Sequence, residues 1–90
     1  MNNHQFNALE TLDLRAHRSL KNLEQAYHEL HIAWAGLKES YEGQGAEEAD
    51  MQFQLLAGQV SEYQHTLEKL MMQCSREIAE LKEKGEAHAT

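Results

Sequence analysis

The chain is expected to be all-α, an antiparallel two-helix hairpin that pairs into a four-helix bundle. Two long stretches carry apolar or small residues at alternating steps of four and three, and the 90-residue chain contains no proline. Between the stretches lies Tyr41-Glu42-Gly43-Gln44-Gly45, with two glycines. The four-and-three alternation keeps a stripe on one side of a helix, because seven residues make nearly two turns. Glycine is a poor helix former and takes positive φ without steric cost, so the pair marks the reversal.

Helix one is predicted over residues 5–41. Asn3 or Asn7 can cap it, the latter with Glu10 three residues on in a capping-box-like arrangement. Its stripe runs through Ala16, Leu20, Leu23, Tyr27, Leu30, Trp34, Leu37 and Tyr41. Phe6 and Leu9 extend the stripe backwards, but the next position falls on Asp13, between Leu12 and Leu14. The stripe is expected to slip there, or the helix to fray.

The turn is placed at residues 42–45 and helix two at 46–84. Glu47, Glu48 and Asp50 open helix two, where negative charge favours the positive end of the dipole. Its stripe runs through Ala46, Ala49, Phe53, Leu56, Val60, Tyr63, Leu67, Leu70 and Cys74. Glu77 then takes a position that an apolar residue should hold, and Ile78 and Leu81 restore the stripe one step over. Lys82, Lys84 and Gly85 supply C-terminal helix chemistry, and residues 85–90 read as a disordered tail. Residues 1–84 thus form one hairpin, with arms similar in length and the first roughly 55 Å long.

Two helices alone bury little surface for their length, so a partner is expected. Met51, Leu55 and Gly58 follow one another at i, i+4 and i+7 off the main stripe. They form the expected partner face, with Gly58 allowing close approach of another helix.

Charge narrows the function. Residues 1–45 carry four Lys/Arg against six Asp/Glu, and residues 46–90 four against nine, giving −2 and −5 of the total −7. A nucleic-acid binder needs a basic footprint, and an anionic membrane surface attracts a polybasic amphipathic face. Neither is present. No apolar run approaches the ~20 residues that span a bilayer, and Met1-Asn2-Asn3-His4 does not resemble the start of a secretory signal peptide. The chain is therefore expected to be made in the cytoplasm. Cys74, the single cysteine, falls in the stripe and reads as a small buried hydrophobe.

An enzyme is not expected. The sequence has no glycine-rich phosphate loop and no nucleophile with an evident base beside it, and two helices cannot enclose a dry pocket. His28 and His31, with Glu24 one turn earlier, could reach one ion. They lie towards the solvent side of the stripe and lack a supporting second set of groups, so no metal or cofactor is expected.

An aromatic-x-Gly turn joining two stripe-bearing helices in a chain just under a hundred residues resembles the WXG, or ESAT-like, family of small type VII secretion proteins. The resemblance is strongest from Tyr41-Glu42-Gly43 to Phe53, with Tyr41 where the family has tryptophan. A literal Trp34-Ala35-Gly36 occurs seven residues earlier, but bending there would leave Leu37 and Tyr41 in a loop. The resemblance implies a non-enzymatic secretion component: a small secreted hairpin, or a targeting partner or chaperone of a larger secreted toxin with a helical N-terminal domain. It further implies pairing with itself or another such hairpin, and a turn motif of Tyr41, Gly43 and Gly45 in which Tyr41 and Gly43 help form the surface that meets the secretion ATPase. The family's Tyr-x-x-x-Asp/Glu export signal is absent, since Tyr63 is followed four positions on by Leu67 and Tyr27 by His31. A partner is then expected to supply it.

The heptads alone also fit a cytoplasmic coiled-coil adaptor with no secretion role. A needle subunit or small chaperone of a type III system fits less well, because those hairpins usually turn through a proline-bearing segment.

Overall fold

The computed structural model describes residues 3–89. It contains two helices, α1 (Asn3–Lys38) and α2 (Gln44–Ala89), and no strand among the described residues. They run antiparallel in a rod of 71 × 16 × 15 Å. The Trp34 indole meets Asp50 near the turn, and Lys82 Nζ lies 5.8 Å from the centroid of the Phe6 ring near the open end. The hairpin expected from the sequence is the fold observed.

The element ends differ from those expected. α1 stops at Lys38 rather than 41, and α2 begins at Gln44 rather than 46, so Gly45 belongs to the first turn of α2. At the other end α2 runs through Gly85 to Ala89, where the sequence predicts a disordered tail. One glycine costs a helix only about 1 kcal/mol, and Glu86, Ala87 and Ala89 are strong or adequate helix formers, so nothing local forces a stop. Thr90 lies outside the described residues.

The buried apolar residues are Ala16 at 4% exposure, Leu67 at 9% and Cys74 at 2%. Around them a half-buried seam is lined on α1 by Phe6, Leu9, Asp13, Leu20, Leu23, Tyr27 and Trp34. On α2, Phe53, Ala57, Val60, Gln64, Met71, Ile78, Leu81 and Gly85 continue it. Phe53 is the hub near the turn, its ring centroid 5.8 Å from Tyr27, 5.8 Å from His31 and 6.1 Å from Trp34.

Four expected seam residues are not inside. Tyr41, 41% exposed, lies beyond the end of α1, while Leu30 and Leu37 are each 51% exposed and Tyr63 is 54% exposed. For the last three the cause is the pitch of the helix. With 3.6 residues per turn, a strict seven-residue repeat rotates about 20° per heptad around a straight axis. Leu9, Ala16, Leu23, Leu30 and Leu37 form one such series, buried at Ala16, half-buried at Leu23 and out of the contact at Leu30 and Leu37. On α2 the contact keeps Phe53, Val60, Leu67 and Cys74 but takes the residues four positions after them, so Gln64 replaces Tyr63. Leu56 and Leu70 stay half-buried at its margin.

Asp13 also departs from expectation. The stripe does not slip: α1 is unbroken, Asp13 keeps its seam position, and Leu14 stands 59% exposed. Its Oδ1 is buried and accepts no hydrogen bond. His17 Nδ1 instead contacts the Asp13 backbone carbonyl at 2.8 Å and lies 3.5 Å from Oδ1. Cys74 faces the same layer: burial pushes its thiol pKa up, and the charges of Asp13 and Glu77 push it further.

A carboxylate oxygen in this position weakens the seam, because it has given up water without gaining a donor. Asp13→Leu should therefore raise stability by about 1–3 kcal/mol, seen as a higher urea midpoint at unchanged slope. A lower midpoint would show that the carboxylate stabilises the layer it occupies.

Candidate functional site

The tip of the hairpin is built by a short reversal. α1 is closed by the amides of Ser40 and Tyr41, both donating to the Leu37 carbonyl at 3.1 and 3.0 Å. α2 is opened by the Gly43 carbonyl, which accepts from Ala46 and Glu47 at 3.1 and 3.2 Å. Gly43 has φ 102°, a left-handed conformation that side-chain-bearing residues rarely adopt. It is the only such residue among those described. Gly45 plays a different part: its bare Cα makes room for the Tyr41 hydroxyl, which would lie 2.5 Å from a Cβ there. Tyr41 is 41% exposed and lies over the first turn of α2, outside the seam.

A polar clasp that the sequence reading missed sits directly behind the tip. Asp50 Oδ1 accepts from Trp34 Nε1 and from Lys38 Nζ, each at 3.2 Å, and Oδ2 accepts from Gln54 Nε2 at 3.0 Å. The Lys38 hydrogen bond, then that of Trp34, lowers the Asp50 pKa below the usual carboxylate value. Asp50 therefore does more than favour the dipole of α2; it ties both ends of the reversal together. The signal was present in Trp34, a seam residue whose indole N–H needs an acceptor when covered.

The two long flanks of the rod differ sharply. Residues advance about 100° per position around a helix, and antiparallel pairing places matching sides of the two helices together. On one flank α1 presents Leu12, Ser19, Leu23, Ala26, Leu30, Ala33 and Leu37. Beside them α2 presents Ala49, Gln52, Leu56, Gln59, Tyr63, Thr66, Leu70 and Gln73. Arg15, at the same helical angle as Ala33, and Glu48, at that of Thr66, add one charge each to this flank, which is sparsely charged for a chain of which 26% is Asp, Glu, Lys or Arg. The opposite flank carries His17, Glu24, His28 and His31 from α1 with Asp50, Gln54 and Glu68 from α2. Open grooves lie on that polar side, one lined by Glu24, Tyr27, His28, His31 and Gln64.

Met51 and Leu55, of the expected partner face, are 62% and 58% exposed, and Gly58 is exposed with nothing within 4 Å of a Cβ built on it. They form a ridge on the outer side of α2, and α1 adds nothing to it. The sparsely charged flank draws on both helices and is the broader surface.

Among the described residues no group of three or more His, Cys, Asp or Glu is placed to hold a metal ion, and no helix is long and apolar enough to cross a membrane. Protein-family models, curated proteins and solved structures yield no match to this chain.

The tip makes a direct comparison possible between two glycines. Gly43→Ala should lower the melting temperature, because a Cβ in left-handed backbone costs about 1–2 kcal/mol. Gly36→Ala should raise it, since Gly36 lies inside α1 with open space around it and alanine favours helix by about 1 kcal/mol. Thermal unfolding followed by circular dichroism checks both, and equal shifts would contradict the placement of the reversal.

Proposed function

We propose that this chain is a non-enzymatic, WXG-like component of a type VII secretion system. It acts as a small secreted hairpin, or as the targeting partner or chaperone of a larger secreted toxin with a helical N-terminal domain. The observation that carries the reading is the reversal itself: two long helices turn at Tyr41-Glu42-Gly43, with the glycine in left-handed backbone and the aromatic residue beside it. This is the arrangement expected of an aromatic-x-Gly hairpin. The half-exposed Tyr41 ring at the tip supports a role for that end in contact with the secretion ATPase. The helix flanks support recognition by packing against other helices.

In this reading the hairpin works by shape and surface, with no chemical step. A helical partner gains order and coverage from the rod, and the partner supplies the Tyr-x-x-x-Asp/Glu signal that this chain lacks.

Affinity purification of tagged chain from its native cells, with mass spectrometry of what co-purifies, tests the proposal. Recovery of another small hairpin, a large helical-headed toxin or a secretion ATPase is the expected result. Recovery of the chain without any of these, and its absence from the culture medium, would contradict the proposal and favour a cytoplasmic coiled-coil adaptor.

A further inference from the structure

We infer that a groove on the polar flank is a binding site for a soft monovalent metal ion, copper(I), held by the His17 imidazole of α1 and the Met71 and Met72 thioethers of α2. The inference does not depend on a secretion role. It stands on donors gathered from both helices, on how His17 is held and on the charge around it.

His17, Met71 and Met72 line one open groove between the helices. Their meeting follows from the register. Asp13 and Cys74 share a seam layer, and one turn closer to the tip lie His17 on α1 and Met71 on α2. Met71 is half-buried at the edge of the seam, and Met72, about 100° further round α2, is 65% exposed. A methionine side chain has three rotatable bonds and a polarizable sulfur, so both thioethers can adjust to an ion in the groove.

His17 is already held as a ligand. Its Nδ1 lies 2.8 Å from the Asp13 backbone carbonyl. A carbonyl only accepts, so Nδ1 carries the hydrogen, and in the neutral ring Nε2 keeps the lone pair. Metal-binding histidines are commonly fixed in this way, with the second ring nitrogen donating to a carbonyl or carboxylate that sets the tautomer and the ring orientation. Asp13 Oδ1, 3.5 Å from the same nitrogen and without a hydrogen bond of its own, adds to that hold. The His17 side chain is 54% exposed, so an ion reaches it without opening the hairpin.

Charge and softness select the ion. Glu68 and Arg76 line the same groove one turn to either side of Met72, and their charges offset each other. The groove offers no thiolate, because the Cys74 thiol is buried and that burial raises its pKa. Zinc favours a closed set of imidazole, thiolate and carboxylate ligands, and among the described residues no group of three or more His, Cys, Asp or Glu is placed to supply one. Thioethers are neutral and soft, and soft sulfur ligands select copper(I). His28 and His31, further along the flank, line a groove without a methionine, so the same chemistry is not available there.

Anaerobic competition between the purified full chain and the chelator bicinchoninate for copper(I) tests this, in a Cys74→Ala background that removes the lone thiol. The chain should take up one equivalent. His17→Gln should weaken binding by about 10–100-fold or more, since losing a group that only orients a metal ligand already costs that much. Met72→Leu, nearly volume-conserving, should weaken it comparably with helicity retained. His28→Gln and Met51→Leu should leave the affinity unchanged. With carbon-13 in the methionine methyl groups, one equivalent of silver(I), a soft monovalent stand-in, should shift the Met71 and Met72 signals and leave that of Met51 in place. Copper uptake that vanishes in the Cys74→Ala background would overturn the proposal by assigning the ion to the lone thiol. So would an affinity unmoved by either His17→Gln or Met72→Leu, or one lost with His28→Gln. Because purified chain is used, each outcome can be read apart from what co-purifies from cells.

Discussion

A helix with one neighbour can hide only a stripe of its circumference, and in this chain each helix has one neighbour. That constraint explains why, among the described residues, only Ala16, Leu67 and Cys74 are buried apolar residues while ten large hydrophobic side chains stand exposed. A single seam also makes each of its layers count. The buried Asp13 oxygen without a donor, beside Cys74, is a weak layer with no second core to compensate for it. The aromatic layer formed by Tyr27, Phe53 and Trp34 is the opposite case, with stacked rings covering the seam close to the turn.

The turn and the clasp behind it divide the work of reversal. Gly43 supplies a backbone conformation, and its carbonyl starts α2. Asp50 then joins Trp34 and Lys38 of α1 to Gln54 of α2 through one carboxylate. Its lowered pKa means that the carboxylate is favoured in the folded hairpin. The sign follows: this stabilisation is present above the ordinary carboxylate value and is lost as pH falls through the lowered one. The tip is thereby held at neutral pH while the Tyr41 ring remains accessible.

Much of the hairpin was legible because periodicity and the glycine pair are local signals. Ala16, Leu20, Tyr27, Phe53, Val60, Leu67 and Cys74 could be assigned to the seam from spacing alone. Leu30, Leu37 and Tyr63 could not, because a seven-residue rule ignores the slow rotation of a 3.6-residue helix. The same rotation carries them to one flank of the rod. That flank required knowing which sides of α1 and α2 lie together, so Met51, Leu55 and Gly58 stood out first in a one-dimensional reading. Asp50 was hidden for the same reason: its partners lie 12 and 16 residues away across the turn. The helical course of residues 86–89 follows from the absence of any breaker stronger than one glycine.

The direct test of the hairpin is a distance between spin labels at the exposed positions 10 and 80, in a Cys74→Ala background diluted with unlabelled chain. Antiparallel arms require one narrow distribution at about 20–30 Å, set by neighbouring helix axes about 10 Å apart plus the label linkers. A continuous or splayed pair of helices would place the labels as much as roughly 100 Å apart, and that result would contradict the reversal at Gly43 and every surface that depends on it.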